Sequence, residues 1–253
     1  MVMIVFKNID VSFGTPSVFR NLTASIDAGD FITMIGPNGA GKTTFFDVIA
    51  GKVLPQSGRI IIDGVDVTHQ HEIDRAACIA RLFQNPRLNT VASMTVAENL
   101  ALASLKGRRA GVRSAMHSFP EEVLASIVRP LGIAIDDLLS RPMGALSGGQ
   151  RQIIALVMAT LHPPKILLLD EPTAALDPQA ATKMLLFATS FIRQHGITTI
   201  LITHDQRLAL TLGNKLWVLR DGGIMQFDEQ EKRLLEAEML IGDVDYAVLG
   251  YSK

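Results

Sequence analysis

A chain of 253 residues has room for one large α/β domain with an inserted subdomain, or for two small domains, and can bury a sizeable core without covalent help. A formal net charge of −1 gives no electrostatic footprint for nucleic acid, so no such partner is expected. Cys78 is the single cysteine, which excludes an internal disulfide and fits a reducing compartment.

No apolar run approaches the roughly 18 residues of a spanning helix, and no basic segment leads into a signal-like apolar stretch, so neither a membrane span nor secretion is expected. The hydrophobic fraction of 48% fits a generous core and equally fits apolar surface kept for a partner. Residues 2–27 read as two strands around the turn Gly14-Thr15-Pro16-Ser17. The apolar run 31–35 reads as a buried strand, and 42–50 as a helix. Between them lies Gly36-Pro37-Asn38-Gly39-Ala40-Gly41-Lys42-Thr43, which fits the phosphate-loop pattern G-x-x-x-x-G-K-[ST]. A strand, a glycine turn and a helix aim main-chain N–H groups and a positive helix end at a polyphosphate. The pattern implies a bound nucleoside triphosphate, with Lys42 reaching the β- and γ-phosphates and the Thr43 hydroxyl holding Mg²⁺. Thr44 follows in the same turn and is counted with the nucleotide-binding residues.

Further along, 58–64 and 79–83 read as short strands. From about 84 to 161 the pattern is helical, over 95–105, 120–131 and 149–161. Strands return at 165–169 and 198–203, with a helix from 178 to about 194 between them. The stretch 228–253 reads as an amphipathic helix with an irregular end. The organisation expected is α/β core, helical insertion, α/β core.

Ser147-Gly148-Gly149-Gln150 precedes an apolar helix. Ser147 suits an N-cap, and the glycines leave N–H groups open to an anion. The turn is either a cap alone or a second anion-binding helix end. A chain with both motifs could use each by closing this turn over a nucleotide held by another copy, in a two-fold, head-to-tail pair. The stretch 166–171 reads as a buried strand ending in two carboxylates, Asp170 and Glu171. Parallel sheets bind ligands at the carboxyl ends of their strands, so Asp170 is expected to serve the metal and Glu171 to act as general base on water. The plain alternative is the exposed end of a strand. His204 lies at the same edge as a γ-phosphate partner, and Gln84 at its own strand end as a sensor of Mg²⁺ and the γ-phosphate. Asp177-Pro178 is explained as a helix start. Phe13 either stacks on adenine or packs the hairpin, and the residues alone favour packing.

These motifs, in this order and over nearly the whole chain to about Phe227, resemble the nucleotide-binding subunits of ATP-binding-cassette (ABC) transporters. The resemblance implies an α/β P-loop NTPase (RecA-like) core with an N-terminal antiparallel β-subdomain and an inserted α-helical subdomain. The ATPase domain would span 1–227, with core 1–84 and 162–227, insertion about 85–161, and a short helical tail 228–253. It implies MgATP held in a head-to-tail homodimer, with Ser147 and Gly149 facing the γ-phosphate of the other subunit, Gly148, Gln150 and Asp177 beside it, and Phe13 on the adenine. Glu171, His204, Lys42 and Gln84 would carry the chemistry, and Thr43, Gln84 and Asp170 the metal.

The resemblance also implies a transmembrane permease docking near Asn85–Asn99, a periplasmic binding protein acting indirectly, and a peripheral place on the cytoplasmic face of the bacterial inner membrane. The stretch 80–100 looks most like importers of amino acids and related small solutes. An exporter ATPase, or a non-transport ATPase of the iron–sulfur assembly type, is the alternative. Lys106, Arg108, Arg109 and Arg113 form either a solvated face or a contact for anionic lipid headgroups.

Overall fold

The computed structural model describes residues 1–14, 17–105, 128–129 and 137–241, with side chains to 235. Most of the helix expected over 120–131, the basic residues Lys106 to Arg113, half of the first turn and the end of the tail lie outside the described residues. The chain forms two compact units: residues 1–79, 165–170 and 196–253, and residues 80–164 and 171–195.

In the first unit, β1 (Val2–Val11) and β2 (Phe19–Asp27) form the expected antiparallel pair. They join β4 (Ser57–Ile62) and β5 (Val65–Asp66) in a sheet ordered β2-β1-β4-β5. The strand expected over 58–64 thus stops at Ile62, because Asp63 (φ 49°) and Gly64 (φ 77°) turn the chain into β5. A second sheet runs β10-β9-β3-β8-β7 through the unit. It consists of β3 (Phe31–Ile35), β7 (Ile166–Asp170), β8 (Thr198–Ile202), β9 (Lys215–Arg220) and β10 (Gly223–Phe227). Strands β7, β8, β3 and β9 are parallel and β10 is antiparallel. Every residue of β3, β7 and β8 is buried, which explains their unbroken apolar sequences.

Helix α1 (Lys42–Ala50) lies in the core common to both sheets. The Phe45 ring stands 5.1 Å from Phe6 of β1, 6.1 Å from Phe19 of β2 and 6.0 Å from Trp217 of β9. Phe45, Phe46, Val48 and Ile49 are all buried, each worth about 1.5–3 kcal/mol. Packing, not helix propensity, therefore fixes the segment that follows the phosphate loop. The unit is completed by α2 (Glu72–Arg75), α6 (Gln206–Thr211) and α7 (Glu229–Ile241). Buried Lys232 anchors α7 by donating to Thr33 Oγ1 at 3.2 Å and to the Leu212 carbonyl.

Strand β6 (Ile79–Leu82) leads the chain into the second unit, which is otherwise helical in its described residues. Helix α3 (Val96–Ser104) is fixed by a capping box of Thr95 and Glu98, and α4 (Gly148–Thr160) and α5 (Pro178–His195) follow. Buried Asn99 ties α3 to the preceding loop, accepting from Val91 N at 2.7 Å and donating to Val91 O at 3.0 Å. Arg151 of α4 donates to the carbonyls of Met143 and Gly144, holding the turn that leads into that helix. Among the described residues no helix is long and apolar enough to cross a membrane.

Candidate nucleotide-binding and hydrolysis site

The phosphate loop leaves β3 at Gly36. The main chain of Leu219 on β9 lies where a Cβ at that position would stand, so only glycine lets the loop pass. Gly39 and Gly41 have φ of 81° and 97°, in the left-handed region that a side chain disfavours. Gly41 is the N-cap of α1 and supplies no side-chain hydrogen bond. The first N–H groups of the helix therefore have no intrahelical partner and no side-chain cap, and they start a positive helix end. Lys42 is buried, with Nζ donating to the carbonyls of Gly36 at 2.7 Å and Pro37 at 3.0 Å, so the ammonium spans the loop. Asn38 and Thr43 are exposed, and Ala40 and Thr44 half-buried.

The parallel register levels three strand ends. Met34 pairs with Ile202, and Ile202 with Asp170. The phosphate loop, Asp170 and the segment Thr203-His204 thus leave the sheet at one carboxyl edge. Asp170 is buried and His204 is exposed. Asp205 fixes the chain just after His204, its Oδ1 accepting from Arg207 N at 2.8 Å and Leu208 N at 3.2 Å as the cap of α6. Phe13, between β1 and β2, is 70% exposed. The residues alone favoured packing against the hairpin; the ring instead presents most of its surface to solvent.

Beside the loop is a cavity of about 600 Å³, lined by Ser17, Val18 and Arg20 of the hairpin, by 37–40, and by Asp221-Gly222. Sequence reasoning missed the hairpin and turn residues of this wall. The signal for Asp221-Gly222 was present: an Asp-Gly pair between apolar runs marks the β9–β10 hairpin.

The remaining predicted residues belong to the second unit. Phe83 N donates to Asn89 Oδ1 at 2.9 Å, and Gln152 donates to Phe83 O at 3.3 Å, so the main chain just before Gln84 is held from two sides. Gln84 Nε2 donates to Glu171 Oε2 at 2.7 Å. Glu171 has φ 45°, a left-handed conformation costing about 1–3 kcal/mol in a non-glycine residue. Ser147 caps α4: its Oγ accepts from Gln150 N at 3.2 Å, and Gln150 Oε1 accepts from Ser147 N at 3.1 Å. A Cβ on Gly149 would stand 2.8 Å from Leu176 Cδ2, and one on Gly148 3.8 Å from Ala175 Cβ, so this turn packs on the 173–177 loop. Asp177 Oδ1 accepts from Ala180 N at 2.9 Å at the start of α5, as a helix start requires.

The chain matches the ABC transporter family over residues 19–174. A tyrosine transport ATP-binding protein of Clostridioides difficile is 35% identical over 252 residues, covering 97% of this chain and 100% of the relative. A spermidine/putrescine import ATP-binding protein of Pasteurella multocida is 35% identical over 251 residues, covering 96% of this chain and 64% of the relative. Among solved structures, an ATP-binding cassette in a dimeric, post-hydrolysis state bound to ADP and phosphate superposes with a TM-score of 0.76 at 25% identity, over 90% of this chain and 99% of that one. With the phosphate loop, the acidic strand end and the serine–glycine helix start in place, the chain belongs to the ABC transporter family, as an ATP-hydrolysing, ATP-binding subunit.

Proposed function

We propose that this subunit drives a membrane permease, and that each ATP lies between the phosphate loop of one copy and the Ser147–Gln150 turn of a second copy. The observation that carries the ATP site is the uncapped start of α1 on left-handed Gly41, level with buried Asp170 at the carboxyl edge of a parallel sheet. The donor set suits magnesium, since the Thr43 hydroxyl and the Asp170 carboxylate are hard oxygen ligands. Bound there, the ion would neutralise charge on the phosphates.

Lys42 and the first N–H groups of α1 bind and orient the phosphates, and Phe13 supplies an exposed face for the adenine. Glu171 takes the proton of the attacking water, and Gln84, already on its carboxylate at 2.7 Å, orients that group. His204 meets the γ-phosphate from the same edge as Asp170. The N–H groups of Gly148 and Gly149, which start α4 without helical partners, meet the γ-phosphate of the other copy, and Asp177 borders that turn.

The relatives named for tyrosine and polyamine transport support an amino acid or related small solute as cargo, with a periplasmic binding protein delivering it. The segment 85–99 presents exposed Leu88 and Val91 ahead of α3, which suits permease docking at the cytoplasmic face of the inner membrane.

Glu171→Gln tests the mechanism. Hydrolysis should fall by about 10²–10⁴-fold, the usual worth of a general base, while ATP is still bound and a stable dimer accumulates in light scattering. Normal turnover would remove Glu171 as the base, and a monomer saturated with ATP would overturn the shared site. Affinity capture from detergent-solubilised membranes should bring down a multi-span protein; soluble companions alone would overturn the permease.

A further inference from the structure

Helix α1 carries an unusual counterpart at its other end. Arg75 of α2 is 1% exposed, and the hydrogen bonds of its guanidinium go to main-chain carbonyls. Nη1 donates to Val48 O and Ile49 O, both at 2.8 Å, and Nη2 to Val67 O at 2.5 Å. Val48 and Ile49 are in the last turn of α1. Its C-cap, Gly51, has φ 81°, and a Cβ there would stand 2.8 Å from Arg75 Nε, so the glycine makes room for the cation. Nε is itself buried without a hydrogen-bond partner. Among the described residues no carboxylate pairs with Arg75. Asp47, the acid of that last stretch of helix, stands 4.0 Å from Lys52. Burial lowers the guanidinium pKa to about 10, which leaves it charged at neutral pH.

A buried cation without a carboxylate is costly unless another negative charge answers it. The carbonyl end of α1 supplies part of that charge, as the negative pole of the helix. We propose that Arg75 is a positioning residue for the nucleotide, acting through α1: it fixes the far end of the helix and adds a remote positive charge to the field that its N-terminus presents to the triphosphate. Nine residues make α1, and at about 1.5 Å per residue the cation stands about 14 Å from the loop. That path runs through the buried core, where counterions do not screen. The proposal rests on the reading that the start of α1 holds the phosphates.

The experiment compares binding of ATP, ADP and AMP to the full chain, without divalent cations, so that ligand charge falls in steps. Arg75→Gln should weaken ATP by about tenfold, ADP by less and AMP by about threefold, the grading that a Coulomb term with one distant charge demands as the ligand charge halves from ATP to AMP. Arg75→Lys, which keeps the charge but not the fork, should restore most of that grading. An equal loss for all three nucleotides would make Arg75 structural only and overturn the proposal. If the unmodified protein itself failed to discriminate among the three, the underlying reading of the phosphate loop would fall instead. Should Arg75→Gln not fold, the Arg75 Nε–H resonance of the unmodified protein decides. It should shift most with ATP and least with AMP, and an identical shift for all three would overturn the proposal.

Discussion

Helix α1 starts behind a glycine and α4 starts on two, and their caps are built in opposite ways. In α1 the cap is Gly41, which offers no side chain. In α4 the cap is Ser147, locked with Gln150 in a reciprocal box. A Ser cap would add a few tenths of a kcal/mol over a glycine that offers no side chain. The protein forgoes that at α1 and accepts left-handed glycines as well, which fits a start kept for the anion proposed there, whereas the start of α4 stabilises itself. The start of α4 is therefore structural first, and any service to a second copy's nucleotide is added to a cap that already works.

The sharpest way to break the contrast is Gly41→Ala. The new Cβ would meet a φ of 97° and stand 2.6 Å from Val18 Cγ1. A left-handed backbone costs an L-residue about 1–2 kcal/mol before any clash, and the loop relieves it by abandoning its phosphate-binding shape. ATP affinity, measured by calorimetry, should fall by at least about tenfold, since 1.4 kcal/mol is a factor of ten.

Ser147→Ala should be milder for the monomer, lowering stability by about 1 kcal/mol in a urea melt and leaving ATP binding to the monomer intact. If the turn serves a second copy, hydrolysis falls further than that loss explains.

The smallest effect belongs to the box of α3, whose N3 residue is titratable where that of α4 is not. The Thr95 N–H first, and then its hydroxyl, hold the Glu98 carboxyl below its ordinary value. A depressed folded pKa adds stability above the unfolded pKa and loses it as pH falls through the folded one. Glu98→Gln should therefore melt slightly lower than the unmodified protein at neutral pH. The gap should close in acid, whereas Gln150→Ala should show no such closure.

What could be read in the chain follows from how local each cause is. The phosphate loop, the all-buried strands and the caps at Thr95, Ser147 and Asp177 depend on residues within one turn of each other, and their types announce them. Strand β5 has two residues and α2 four, too few for any periodicity to register. The β9–β10 hairpin was legible in Asp221-Gly222 and went unread. Arg75 could not be found that way, because its partners Val48 and Ile49 belong to a helix far back in the chain, and carbonyls carry no residue identity. The hydrogen bond of Gln84 to Glu171 joins residues 87 apart, so spacing could not anticipate it either. The division into 1–79 with 165–170 and 196–253, and the rest, is likewise a matter of three-dimensional contacts.

The left-handed backbone at Glu171 bears on how such a subunit ages in evolution. Glycine and asparagine accept that conformation more readily than glutamate does. A substitution to either residue can thus relieve the main chain, which offsets part of the cost of losing the hydrogen bond from Gln84. On the role proposed for Glu171, a duplicated copy that lost the carboxylate would carry a reduced folding penalty, and a silent partner that still binds ATP is what drift at this position would leave.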